Sequence, residues 1–353
     1  MINKTIGIVG GGQLARMLAL AAKKLPDLEE VKCHTHIFCP EQKSPATLIA
    51  DGRTCAAYED IPALIEFAKK VDVITYEFEN IPAASMAALN EHGFIAPPVK
   101  ALEISQDRLH EKKFIKAQGI DTTEFYDIKA PDDITPALAA LSGQGILKTR
   151  RFGYDGKGQW RLTQKDLAPP IDRPCILEAV IDFDKEISVI IARNTKGETA
   201  VYDPIENVHR NHILHTSTAP ATLPDTLTQT AQRIATTLAD ALDYVGVLAV
   251  EFFVVGDNLL VNEIAPRVHN SGHLTQDACA CGQFEQHIRA ILGLPLGDPK
   301  LHSRAIMTNL IGDDILDAQT LTPEKNTYLH DYKKDDIRAG RKMGHITRLF
   351  PLA

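Results

Sequence analysis

Glu251 and Glu263 sit in two apolar runs, LAVEFF and LLVNEI, on either side of the turn signal Gly256-Asp257-Asn258. A hairpin centred on position 257 sets them opposite each other, and strand parity puts both carboxylates on one face. Two like charges on a partly buried face repel unless one is protonated or a cation bridges them. A hard, oxygen-ligated ion such as magnesium, shared with nucleotide phosphates, resolves the conflict. The plainer alternative pairs one glutamate with an arginine and leaves the other exposed. The next segment, APRVHNSGH, offers Arg267, which can fork onto a phosphate or carboxylate, and Asn270 and Ser271, which can orient polar ligand atoms.

Two glycine-rich segments point to phosphate. Gly10-Gly11-Gly12-Gln13-Leu14-Ala15 follows a strand signal and opens a helix, where backbone N–H groups and the helix dipole favour an anion. Gly10, Gly12 and Ala15 also fit the dinucleotide fingerprint, but the acid expected about twenty residues on is missing. The next candidate, Glu41, lies nearer thirty residues away. The turn therefore reads as a phosphate cradle, with a nicotinamide cofactor as the lesser reading and a purely structural turn as the third. In the second segment a strand delivers Lys148, and Gly153, Tyr154, Asp155, Gly156, Lys157, Gly158 and Gln159 follow as a loop able to fold over a polyphosphate. It is not a Walker A loop; the alternative is a solvated hairpin. Near the C-terminus, RAGRKMGH gathers Arg338, Arg341 and Lys342 with His345, which alone suits a solvated turn as well as a site.

The elements that must position these groups change character along the chain. Strands near 5–9, 36–39, 71–78 and 94–96 alternate with helices at 13–24, 61–70 and 81–91, which argues for a parallel sheet covered by helices. Pro97-Pro98 marks a boundary. Helices follow at 99–118 and 132–141. After Gly145 the pattern becomes α+β, with strands near 146–149, 175–181, 186–193, 199–202, 212–217, 247–255 and 259–264. Helices at 226–242 and 276–292 and short strands at 304–310, 327–332 and 345–350 complete it. Three parts are expected: 1–98, 99–298 with a lid at about 120–185, and 299–353.

Composition sets the outer limits. The 353 residues are 44% hydrophobic with a net charge of −8, which excludes disordered and collagen-like chains and a sequence-blind nucleic-acid binder. Six cysteines without CxxC spacing read as thiols, five of them in apolar surroundings, in a reducing cytosol. No apolar run approaches the ~20 residues that span a bilayer. A cytoplasmic protein is expected.

Taken together, GGGQLARM, VITYEFENIP, QDRLHEKKF, FGYDGKGQW, NEIAPRVHNSGH and GRKMGH, in that order, resemble the 5-(carboxyamino)imidazole ribonucleotide synthases of the ATP-grasp superfamily. The resemblance implies mixed α/β and α+β architecture: an ATP-grasp fold with an N-terminal Rossmann-like domain and a small C-terminal β-rich domain. It places ATP against Arg108, Lys148, the 153–159 loop, Glu178, Ala179, Val180, Ile181, Glu186, His209, Asn262 and Glu263. Magnesium, or manganese, falls on Glu251 and Glu263. Aminoimidazole ribonucleotide falls on Gln13, Glu77, Tyr154, Asp155, Arg267, His269, Asn270, Ser271, Arg341 and Lys342. Arg267 and Lys342 would stabilise carboxyphosphate, and Asp155 would handle a proton. The substrates implied are ATP, bicarbonate and aminoimidazole ribonucleotide, in a homodimer that passes its product to a separate mutase. Alanine at position 15 departs from the family's usual glycine. The rivals are another ATP-grasp ligase, using formate or biotin, a nicotinamide-dependent oxidoreductase, and a non-catalytic nucleotide-binding regulator.

Overall fold

The computed structural model describes residues 2–25, 31–153, 156–166, 171–320 and 324–352. The first hundred residues build a parallel sheet from β1 (Ile2–Val9), β2 (Val31–Cys39), β3 (Gly52–Cys55) and β4 (Val73–Tyr76), in the order β3-β2-β1-β4. Its helices are α1 (Gln13–Lys24), α2 (Ile61–Ala68) and α3 (Ala83–His92). The strand expected at 94–96 reduces to one bridge, Ile74 to Ile95. Val9 pairs with Tyr76, so the glycine turn and Glu77 leave adjacent strands at the same end of the sheet, where ligands of such sheets bind.

The single helix expected at 99–118 is two, α4 (Val99–Ser105) and α5 (Arg108–Ala117). Asp107 causes the break: its backbone is extended, and its carboxylate caps α5 by accepting from Leu109 N at 3.0 Å. A second, antiparallel sheet follows from β5 (Phe125–Ile128), β6 (Gln144–Thr149), β7 (Gln159–Thr163) and β8 (Cys175–Glu178), with α6 (Ile134–Ala140) against it. Its order is β5-β8-β6-β7, and the second glycine loop joins β6 to β7.

The third sheet has nine strands: β9 (Lys185–Arg193), β10 (Thr199–Val201), β11 (Ile205–Arg210), β12 (Ile213–Ala219), β13 (Gly246–Val255), β14 (Asn258–Ala265), β15 (Arg304–Ile311), β16 (Thr327–Asp331) and β17 (Lys342–Phe350). The order is β14-β13-β9-β11-β12-β15-β17-β16, with β10 on β9. The last strands therefore extend the central sheet through the β12–β15 pair. The helix α7 (Asp225–Ala241) covers one face. The helix expected at 276–292 is split into α8 (Thr275–Ala278) and α9 (Gln283–Ile291). The break brings the backbone of Gln276 so close that only glycine fits at 282, where a Cβ would lie 2.7 Å from the Gln276 Cα. Leu14, Leu18, Ile190, Val247, Phe284 and Ile288 share one buried cluster, so the parallel sheet's α1 side packs on the central sheet through a common core. Five cysteines are buried and Cys55 is exposed, all as free thiols.

Candidate active site

The acid pair forms as the sequence pattern requires, by a different route. β13 and β14 meet in a two-residue turn, Gly256-Asp257, with Gly256 at φ 55°. The turn is centred half a residue before Asp257, a register that would set Glu251 against Asn262. A β-bulge at Asn262 adds one residue and restores the Glu251–Glu263 pairing. Burial and the Glu263 charge push Glu251 up to about 7. Glu263 accepts from Arg108 Nη1 at 3.1 Å, and Arg108 Nη2 reaches Gly153 O at 3.4 Å. His269 Nε2 lies 3.3 Å from Glu251 Oε1. Burial, with Arg267 and Lys342 nearby, lowers His269 to about 3. Ser271 N donates to His269 Nδ1, so the neutral ring carries its proton on Nε2, directed at Glu251. Two adjacent half-buried carboxylates, one lifted toward neutrality, are a donor set that fits a hard divalent cation.

On the second sheet, Lys148 Nζ meets Glu178 Oε2 at 3.0 Å. The buried Lys112 stands 3.5 Å from the same oxygen and also donates to Thr122, Thr123 and Asn262 O, the last at 2.7 Å. Burial alone would raise Glu178, but Lys112, Lys148 and Arg108 outweigh it and hold it at about 2. Glu178 Oε1 is buried without a hydrogen-bond partner among the described residues. Ala179, Val180 and Ile181 are half-buried, and Ala179 N donates to Glu124 O. Glu186 forms a short hydrogen bond with His209 Nδ1. Burial opposes the charge on His209, yet Glu186 raises its pKa. In the loop, Gly156 and Gly158 have φ of 78° and 71°, and Gln159 stands 3.5 Å from His212. Tyr154 and Asp155 lie outside the described residues. Lys112 was missed as a site residue, although its position on the apolar Leu109–Ile115 stripe of α5 marks a lysine that must be buried and paired.

The first glycine turn requires a correction. Its N–H groups already hold an anion: Glu77 accepts a short hydrogen bond from Gly12 N and another from Ala15 N at 3.0 Å. Cβ atoms at Gly10 and Gly12 would lie 2.3 and 2.6 Å from Glu77 atoms, so the glycines admit this carboxylate. Neither a substrate phosphate nor a dinucleotide finds those amides free. Gln13 follows half-buried at the start of α1. Arg267 forks onto a carboxylate, and that carboxylate is the chain's own: Glu79 accepts from its Nε and Nη2 at 2.6 and 3.1 Å. Burial opposes ionisation of Glu79, but Arg267 keeps it at about 2. Ser271 is fully buried and accepts from Ser188, which accepts from Asn207, which in turn accepts from Ser217, so this buried chain of hydrogen bonds fixes Ser271 beneath His269, its other partner. Both amide atoms of Asn270 are buried without a partner among the described residues.

The C-terminal cations converge here. Lys334, absent from the sequence reading, donates to Lys342 O at 2.6 Å, and Arg341 donates to Asp336 O. Burial and the Arg341 charge lower Lys334 to about 8, opposed by Glu77. Lys342 also acts electrostatically on His269 and His209. Asp277, His330 and His345 bring potential ligand atoms within 4.8 Å of one another. The two imidazoles, however, stack at 14° and their lone pairs lie in near-parallel planes, while both His330 nitrogens are already engaged by Asp277 and Gln276.

Family models match in chain order: a ribonucleotide synthetase preATP-grasp domain at 3–106, an ATP-grasp domain at 113–284, and a phosphoribosylaminoimidazole carboxylase C-terminal domain at 305–351. An N5-carboxyaminoimidazole ribonucleotide synthase from Brucella melitensis is 50% identical, covering 99% of this chain and 97% of the relative. The chain belongs to the N5-carboxyaminoimidazole ribonucleotide synthase family. The Bacillus subtilis family member is 41% identical over 97% of this chain and 90% of its own. The family structure from Staphylococcus aureus, complexed with ADP, superposes with a TM-score of 0.91 at 35% identity, covering 98% of this chain and 93% of the other. The Aspergillus clavatus synthase in complex with ADP and 5-aminoimidazole ribonucleotide gives 0.90 at 31% identity, covering 99% and 94%. Membership makes the chain an ATP-dependent ligase of purine biosynthesis with an ATP-grasp fold. The oxidoreductase reading falls. No described helix is long and apolar enough to cross a membrane.

Proposed function

We propose that this site joins bicarbonate to the exocyclic amine of 5-aminoimidazole ribonucleotide at the expense of ATP. The observation that carries the residue assignment is Arg108, which ties Glu263 of the acid pair to Gly153 of the glycine loop. Bicarbonate attacks the γ-phosphate, giving ADP and carboxyphosphate, and the substrate amine captures the carboxyl group, directly or as CO₂, with release of phosphate. Such a transfer needs positioning and charge neutralisation more than covalent help. Glu178 to Ile181 receive adenine, Glu186 with His209 takes the ribose hydroxyls, and Lys148 with the 153–159 loop holds the phosphates. Glu251 and Glu263 would hold magnesium, or manganese, beside Asn262. A divalent ion there supplies charge neutralisation for the transferring phosphoryl group.

On the other side, Glu77 and Gln13 meet the ribonucleotide's sugar side, while Lys334, Arg341 and Lys342 receive its phosphate. Arg267, with Lys342, stabilises carboxyphosphate, His269 and Asn270 orient the base, and Asp155 takes the amine proton. Closure of the glycine loop excludes water from an intermediate that water destroys. The working form is proposed to be a cytoplasmic homodimer whose product goes to a separate mutase. The deciding assay follows ADP release from purified protein with ATP and bicarbonate. Stimulation by 5-aminoimidazole ribonucleotide is expected; stimulation by formate plus glycinamide ribonucleotide instead overturns the assignment.

A further inference from the structure

We infer that Glu79 is a positioning residue for the reaction: it grips one edge of the Arg267 guanidinium so that the opposite edge is presented to the oxyanion formed during turnover. The inference rests on the reading of Arg267 given above. A guanidinium has two forks, the side edge of Nε with Nη2 and the end edge of Nη1 with Nη2. Glu79 occupies the side edge with both oxygens, at 2.6 and 3.1 Å. Nη1 uses one proton on Val268 O at 3.2 Å. Among the described residues one proton each on Nη1 and Nη2 then remains, and the two Nη groups of that end edge form a fork matched to two oxygens of a carboxyl or phosphoryl group.

The grip is itself fixed. Gln106 donates through Nε2 to Glu79 O and Ile81 O, both at 2.7 Å, clamping the backbone that carries the carboxylate. Gln106 directly precedes Asp107 and Arg108, which bind Arg150 and Glu263. The Arg267 fork is thus referenced to the same helix start that anchors the acid pair. Arg267 is 17% exposed and lies within electrostatic reach of Glu263 and Glu251, so its orientation bears on the reacting phosphoryl group. Glu77 and Glu79, two positions apart, divide the work: one settles on the α1 N-terminus, the other aims the arginine.

The test compares the full-length Glu79→Gln, Glu79→Asp, Arg267→Ala and Glu79→Gln/Arg267→Ala proteins. Glu79→Gln should lower the kcat for carboxylation roughly 100-fold, leave the KM for ATP within about twofold, and raise ADP released per carboxylated product. Glu79→Asp should retain part of the coupling. Guanidinium ion should partly restore Arg267→Ala, and that rescue should vanish in the double variant. A Glu79→Gln protein with wild-type kcat overturns the inference. So does a lowered thermal midpoint with unchanged coupling, or guanidinium rescue indifferent to Glu79. A fully active Arg267→Ala instead overturns the reading of Arg267 itself.

Discussion

Replacing Glu263 with glutamine removes one charge of the acid pair and should change how stability depends on pH. Moving a carboxyl from 4.5 to about 7, as at Glu251, corresponds to about 3 kcal/mol. Between those values the native state keeps a proton that the unfolded chain gives up. Stability of the metal-free protein therefore falls as pH rises across that window and is fully present only below it. Burial is the larger cause, so the share owed to Glu263 is under half, about 1 kcal/mol. Glu111, buried and lifted to about 8 by burial and then by Glu263, shifts the same way and adds to the difference. Metal-free Glu263→Gln should lose less stability than wild type between pH 5 and pH 8, by roughly 1–2 kcal/mol, or about 2 °C in midpoint for a chain this long. Loss of the Arg108 ion pair lowers both ends of the curve and leaves this difference standing. Magnesium at pH 8 should raise the wild-type midpoint but scarcely that of the variant, and ATP-dependent turnover should fall by orders of magnitude. Urea or thermal unfolding across pH, with and without magnesium, reads all of this. Parallel curves and no magnesium-dependent gain would refute the account of the pair.

Two other perturbations test the substrate side. Gly10→Ala sets a Cβ 2.3 Å from Glu77 Cγ at a φ of 116°, so strain and overpacking should together cost about 3 kcal/mol in urea unfolding. The same variant should raise the KM for 5-aminoimidazole ribonucleotide far more than that for ATP; equal effects would detach Glu77 from that substrate. Lys334, lowered to about 8, loses its charge as pH rises, so the ribonucleotide KM should climb up to ~10-fold between pH 7 and 9. Lys334→Met should remove that dependence, and a flat wild-type profile would sever Lys334 from the phosphate.

What could be read from the sequence was whatever periodicity or a short-range signal carries. Strand parity joined Glu251 to Glu263, although only the bulge at Asn262 makes the pairing work, and no turn signal announces a bulge. Helix α1 was legible because glycines precede it and its apolar face repeats. The break at Asp107 was hidden because Arg108–Ala117 continues the helical pattern of Val99–Ser105. The short β3, GRTC, has too few residues to show alternation. Glu79 could not be assigned at all: its partner lies 188 positions away, and nothing local distinguishes it from an exposed acid.

The same limit explains the misplaced phosphate. A glycine turn opening a helix says that an anion belongs there without saying whose, and here Glu77 supplies it from the neighbouring strand. A second anion at that helix start would meet the first, so the ribonucleotide's phosphate has to be neutralised elsewhere. The cations able to do it, Lys334, Arg341 and Lys342, come from the loop before β17 and its first residue. β15 joins β12 and carries β17, and these cations with it, into the central sheet. On this argument the C-terminal strands complete the substrate site. A chain lacking them should retain the residues assigned to ATP while losing the cations proposed for the second substrate.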